Sequence, residues 1–122
     1  SMRIPTAVVL TVLNLIDFGM NIQEAIETPR FFSYAVSNND PDDTNGMIEY
    51  GDDGVNKKWI EVEGAISEEA CRQLEQYNYY VQRHEGDIDL YFGGVHGITF
   101  DAATGSMHGG ADTRRDGKAL GY

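Results

Sequence analysis

The side chains best suited to metal binding are spread thinly along this 122-residue sequence. His84, His96 and His108 fall on separate predicted strands, without the close spacing that is typical of a zinc site. We therefore expect them to be surface or partly buried strand residues, and we expect no metal or cofactor.

An acidic stretch in the middle of the chain offers oxygen ligands for calcium. Its order does not fit an EF-hand loop, because placing Gly46 at the sixth loop position puts Pro41 first, where Asp is needed. A second acidic run spans residues 85–89. Charge runs of this kind are usually solvated, so we interpret both as exposed loops. The aspartates of the first stretch are Asp40, Asp42, Asp43, Asp52 and Asp53.

Two residues could act as nucleophiles. Cys71 falls on the apolar side of a predicted helix and has no basic neighbour to lower its pKa, which predicts an inert buried thiol. An N-terminal Ser1 could use its own α-amine as a base. Ser1-Met2 is instead typical of residues left after tag removal, and the next residues lead directly into a helix rather than a strand.

Arginines are the remaining chemical candidates. Arg30, Arg114 and Arg115 lie in turn-rich stretches of a chain with nine basic and twenty acidic residues and a net charge of −11. They are expected to pair with nearby carboxylates. The sequence has no glycine-rich phosphate loop, nucleophile elbow or paired-carboxylate motif, so no catalytic site emerges from the residues alone. The acidic balance disfavours nucleic-acid binding.

The first thirty residues specify two helices. Pro5 suits a first helical turn, and Gly19 suits the left-handed residue beyond a last turn. Asn21 and Glu24 form a capping-box pattern for the second helix, which Pro29 ends. An apolar stripe at helical spacing on the first helix is expected to pack in the core; it consists of Val8, Val9, Val12, Leu13 and Ile16.

The later segments predict strands and one further helix. Strands are expected at residues 31–36, 59–63 and 79–84, and a hairpin joins 96–100 to 106–108 with Gly105 at positive φ. Ser67 caps the third helix, and Asn78 ends it. Its expected buried stripe is Ala70, Leu74 and Tyr77. Residues 37–58 are interpreted as a long acidic loop or exposed hairpin.

Length and composition predict a single domain over residues 1–122, with helices packed on a mainly antiparallel sheet in an α+β arrangement. An apolar fraction of 41% fits a globular protein. No apolar run reaches transmembrane length.

The segment from Arg3 to Phe32, RIPTAVVLTVLNLIDFGMNIQEAIETPRFF, resembles the part of γ-glutamyltranspeptidases that follows their active-site Gly-Gly. The stretch from Gly105 to Tyr122, with Ala-Asp-Thr-Arg-Arg-Asp-Gly and a final Gly-Tyr, resembles the C-terminus of the same family. The resemblance spans the whole chain and is weakest over 37–58, which looks like a loop insertion. It identifies the chain as the C-terminal part of the family's small subunit.

The resemblance implies part of an N-terminal-nucleophile-hydrolase αββα sandwich, cut from a self-cleaving precursor. In this family a new N-terminal Thr attacks γ-glutamyl amides such as glutathione, and the γ-glutamyl group passes to water or an amino acid. No residue here matches that Thr, so the catalytic set is empty and the isolated chain is expected to be inactive. Arg3 would lie next to the substrate, and Arg30 and Arg114 would serve structure or assembly. A periplasmic or extracellular location is implied.

The implied partners are the large subunit and the N-terminal part of the small subunit, with small γ-glutamyl compounds as substrates of the intact enzyme. An uncovered sheet face would let isolated chains form a homodimer. Two other hypotheses stay open. One is a self-standing acidic binding or interaction module with the same fold. The other is a related acylase, such as a cephalosporin acylase or a poly-γ-glutamate hydrolase.

Overall fold

A computed structural model describes residues 3–33, 48–50 and 56–121. The chain divides into two compact units. We call Ser1–Arg30 together with Asp89–Tyr122 the terminal unit, and Phe31–Ile88 the central unit. The helices are α1 (Arg3–Ile16), α2 (Ile22–Glu27), α3 (Glu68–Gln76) and a short 3₁₀ turn (Leu90–Phe92). The strands are β1 (Phe31–Ser33), β2 (Ile48–Tyr50), β3 (Asn56–Val62), β4 (Tyr79–Arg83), β5 (His96–Phe100) and β6 (Met107–Ala111).

The two N-terminal helices begin and end where the sequence predicts. Gly19 takes a φ of 64° beyond α1. Asn21 caps α2 in a complete capping box: its side chain accepts from the Glu24 N–H, and the Glu24 carboxylate accepts from the Asn21 N–H, each at 3.0 Å. These contacts satisfy N–H groups that have no partner within the helix.

The predicted burial of the α1 stripe is wrong within this chain. Its five members are 42–74% exposed, and the buried α1 residues are Ala7 and Thr11 on another side of the helix. The Thr11 hydroxyl donates to the Ala7 carbonyl at 2.9 Å, so this polar side chain is satisfied inside the core. The spacing of apolar residues identifies one face of a helix but not what packs against that face. None of the described residues buries this one.

The β5–β6 hairpin of the terminal unit is confirmed, but its second strand extends past the predicted 106–108 and ends at Ala111. Its strands pair antiparallel from His96↔Ala111 to Phe100↔Met107, and Gly105 in the turn has a φ of 74°. Helix α2 packs on one face at the paired glycines Gly97 and Gly110. A Cβ atom at either glycine would lie within 2.9 Å of an isoleucine side chain of α2, so only glycine permits this approach.

The central unit is built around β3. Strand β1 pairs antiparallel with the C-terminal half of β3, β2 pairs antiparallel with its N-terminal half, and β4 runs parallel to it. The predicted strand at 31–36 is described only to Ser33; residues 34–36 lie outside the described residues. Of the two interpretations of 37–58, the hairpin holds where the structure describes this segment, because β2 pairs antiparallel with residues 56–58. Strand β3 therefore begins three residues before the predicted strand at 59–63 and ends at Val62. Pairing with β2 and β4 overrides the weak strand propensity of Asn and Lys there.

Helix α3 connects the two parallel strands. Ser67 caps it, accepting from the Ala70 N–H at 3.2 Å, and Asn78 follows it with a φ of 65°. Ala70 and Leu74 are half-buried, but the predicted burial of Tyr77 is wrong, since this side chain is 78% exposed. Tyr77 is the C-cap residue, where the chain leaves the helix and the helical spacing no longer sets the side-chain direction.

Candidate functional site

A buried cluster of two arginines around one aspartate joins distant parts of the terminal unit. Pro29 ends α2 and leaves Arg30 just beyond it, while Asp112 and Arg114 directly follow β6. Arg30 Nη2 lies 2.7 Å from Asp112 Oδ2, and Arg114 Nη1 lies 3.1 Å from Asp112 Oδ1. None of the three is more than 3% exposed. The expected ion pairs of Arg30 and Arg114 are therefore present.

Both guanidinium groups also donate to backbone carbonyls. Arg30 donates to Ile26 O at 3.0 Å and to Gly93 O at 3.2 Å. Arg114 donates to Ile26 O at 3.1 Å and to Thr28 O at 3.2 Å. Carbonyls in the last turn of a helix have no intrahelical partner and carry its negative dipole end, so two cations stabilise the end of α2.

The electrostatics of the cluster keep Asp112 ionised. Burial alone would raise the pKa of this carboxyl. The N–H groups of Arg114 and Val95 donate to its two oxygens at 3.0 and 2.9 Å, and the Arg30 charge adds to them. Together these contacts outweigh burial and hold the pKa of Asp112 below its usual range.

Arg3 lines a separate cleft in the terminal unit. Its guanidinium carbon stacks 3.6 Å above the centre of the Tyr91 ring. The cleft has a volume of about 560 Å³ and is also lined by His96 and Arg115. Arg115 donates to Leu90 O at 2.9 Å, so it binds a carbonyl there rather than the expected carboxylate. The substrate-adjacent role of Arg3 stays a prediction.

The histidines belong to two different units and have different surroundings. His84 follows β4, and its Nε2 lies 2.9 Å from Glu61 Oε2 in the central unit. His96 and His108 are exposed on β5 and β6 and are not register partners. Among the described residues, no group of three or more His, Cys, Asp or Glu side chains could hold a metal ion. No described helix has the length and apolar content needed to cross a membrane.

Other candidates are either solvated or not described. Ser1 and all five aspartates of the first acidic stretch lie outside the described residues. Cys71 is half-buried rather than fully buried. Asp89, in the second acidic run, accepts from the Tyr91 N–H at 2.8 Å and caps the 3₁₀ turn.

Sequence reasoning missed Asp112 as the centre of the arginine cluster. The Asp-x-Arg spacing was the available signal, since it lets the aspartate accept from the Arg114 N–H and pair with the Arg114 side chain. The packing of Arg3 on Tyr91 carried no sequence signal, because the two residues are distant in the chain and common in type.

Comparisons with known proteins agree on one family. The family model described as gamma-glutamyltranspeptidase matches residues 1–122. The glutathione hydrolase proenzyme of Pseudomonas sp. (strain A14) is 66% identical over 29 residues, which are 24% of this chain and 5% of that protein.

Solved structures agree on the fold. The gamma-glutamyltranspeptidase from Pseudomonas nitroreducens complexed with L-DON matches with a TM-score of 0.65 at 15% identity, over 99% of this chain and 51% of that chain. The cephalosporin acylase from Bacillus halodurans matches with a TM-score of 0.65 at 24% identity, over 97% of this chain and 18% of that chain. The chain thus spans about half the length of the first of these structures.

The likeness in structure confirms the predicted α+β, N-terminal-nucleophile-hydrolase fold class. The family model covers every residue of the chain, from the two N-terminal helices to the arginine-rich C-terminal segment. The chain belongs to the γ-glutamyltranspeptidase family.

Proposed function

We propose that this chain is the C-terminal part of the small subunit of an enzyme that cleaves γ-glutamyl amides such as glutathione. The intact enzyme passes the γ-glutamyl group to water or to an amino acid. The observation that carries the proposal is the family match over residues 1–122, in a chain that covers only 51% of a solved gamma-glutamyltranspeptidase chain. The partner is the remainder of the precursor.

The isolated chain is proposed to be inactive. The buried cluster consists of two arginines and an ionised aspartate engaged with each other and with backbone groups. Arginine does not give up its proton near neutral pH, and an aspartate with a lowered pKa is a poor proton acceptor. A cluster of this kind is suited to stabilising the fold rather than to catalysing a reaction.

Arg30 and Arg114 are proposed to fix the end of α2 to the C-terminal segment, and through it to stabilise the intact enzyme. Replacing Arg30 with Ala in the full-length precursor should lower both self-cleavage and thermal stability. If both stayed unchanged, this role would be wrong.

The central test compares hydrolysis of a γ-glutamyl-anilide by the isolated chain and by the full-length precursor. We expect turnover by the precursor and none by the chain. Turnover by the chain alone would contradict the proposal. An inactive precursor that fails to cleave itself would favour the acidic binding module.

A related acylase activity is the second candidate, and the likeness to the Bacillus halodurans cephalosporin acylase favours it. Assaying the precursor on γ-glutamyl-anilide and on a cephalosporin with an acyl side chain, in parallel, separates the two. A higher kcat/KM on the cephalosporin would replace the first proposal by the second.

A further inference from the structure

The Arg3 cleft concentrates positive charge in a strongly acidic chain. Two of its seven lining residues are arginines, and none of the described residues that line it is acidic. The whole sequence has twenty acidic residues against nine basic ones. The lining of the cleft is therefore opposite in sign to the net charge of the chain.

Both guanidinium groups are held in place before any ligand arrives. Arg115 donates from Nη1 to the Arg114 carbonyl at 2.8 Å and from Nη2 to the Leu90 carbonyl at 2.9 Å. The Arg3 guanidinium carbon lies over the Tyr91 ring, 3.6 Å from its centre, in a cation–π contact. Fixing these long side chains in advance lowers the entropy that binding would otherwise cost.

From this geometry we propose that the cleft binds a small peptide through its carboxylate groups. A planar guanidinium fork matches a carboxylate, and a cleft of about 560 Å³ has the size of a small-ligand site. The net charge of −11 repels a doubly charged inorganic phosphate more than a γ-glutamyl peptide, whose two carboxylates and one ammonium group leave a single net negative charge. The choice of a γ-glutamyl peptide as the ligand rests on the proposed function; the carboxylate site itself does not.

The test is an NMR titration of the ¹⁵N-labelled 122-residue chain with S-methylglutathione. This peptide has two carboxylates, and because its sulfur is methylated it cannot form a disulfide with Cys71. We expect saturable shifts of the Tyr91, Gly93 and Gly94 amides. Arg115→Gln should raise the Kd about tenfold, the effect of losing a hydrogen bond to a charged group. Arg3→Gln should do the same and provides a second variant if Arg115→Gln does not fold.

Lys118→Gln is the matched control, because it removes the same charge from the same unit and does not line the cleft. Its Kd should stay within about twofold. Shifts that do not saturate, an equal weakening by Lys118→Gln, or inorganic phosphate binding as tightly as the peptide would each overturn the proposal. Activity of the precursor on γ-glutamyl-anilide is measured separately, so an active enzyme with no binding in the cleft refutes the site alone.

Discussion

At Asp112 a single carboxylate faces two guanidinium groups and two backbone N–H groups inside the terminal unit. Asp112→Asn keeps the shape but removes the carboxylate charge that pairs with both buried guanidinium groups. Breaking a buried ion pair from one side costs about 3–5 kcal/mol. We expect the free energy of unfolding in urea to fall by about that amount. Asp116→Asn, at an exposed neighbour, is the control and should change it by less than about 0.5 kcal/mol.

The pKa of Asp112 gives the cluster a defined pH dependence. Because this pKa is lower in the folded state, the unfolded chain binds the proton more tightly in acid. The contribution to stability is complete above the unfolded pKa of about 3.9 and is lost as the pH falls toward the folded pKa. Urea unfolding across this range should therefore show a smaller acid loss for Asp112→Asn than for the wild type. Equal slopes would contradict this assignment.

Residue types alone predicted part of this cluster. Because basic residues are scarce in this acidic chain, its arginines were expected to form ion pairs with carboxylates. This expectation identified Arg30 and Arg114 as paired residues. The sequence could not show that both meet the same aspartate, because that depends on β5 and β6 returning the C-terminal segment to the end of α2. Neither did it show that Arg115 binds a carbonyl.

Among the elements, the β5–β6 turn was predicted closely because its signals are local. Asp101 accepts from the Thr104 hydroxyl and from the Ala103 N–H, both at 2.8 Å, and these bonds hold the pKa of Asp101 below its usual value. Gly105 then supplies the left-handed residue that closes the turn. Such patterns depend on a few neighbouring residues, so the sequence alone reveals them.

Replacing Gly105 with Ala tests that conformational requirement. No atom lies within 4 Å of a Cβ built at Gly105, so the substitution creates no clash, only the strain of a positive φ. We expect a loss of about 1 kcal/mol in the free energy of unfolding. Gly121→Ala also has open space but no positive φ and should be neutral. Equal effects of the two variants would show that backbone strain at Gly105 is not the cause.

The burial of residues and the pairing of strands were harder to predict than the type of each element. The α1 stripe and Tyr77 have helical spacing, yet the stripe is uncovered in this chain and Tyr77 lies past the end of its helix. The parallel pairing of β3 with β4 was not predicted either. It arises from long-range contacts, which a local pattern does not contain.

For the whole molecule, two features oppose each other: a net charge of −11 and exposed apolar faces. One face of the β5–β6 sheet carries Ile98, Phe100 and Met107, which are 66–71% exposed. Apolar surface of this kind drives association, while like charges on two copies resist it. In the proposed precursor, the remaining chain would cover these faces.

The isolated 122-residue chain is therefore expected to self-associate through this sheet face, and more strongly at high salt, because salt screens the repulsion between acidic copies. Sedimentation velocity over a range of concentration and ionic strength measures this. Phe100→Lys should shift the population to monomer, since it places a charge on the apolar face. Tyr77→Lys, at a similarly exposed aromatic residue of the central unit, should not. A wild-type chain that stays monomeric at high salt and binds no apolar dye would show that this face does not mediate association.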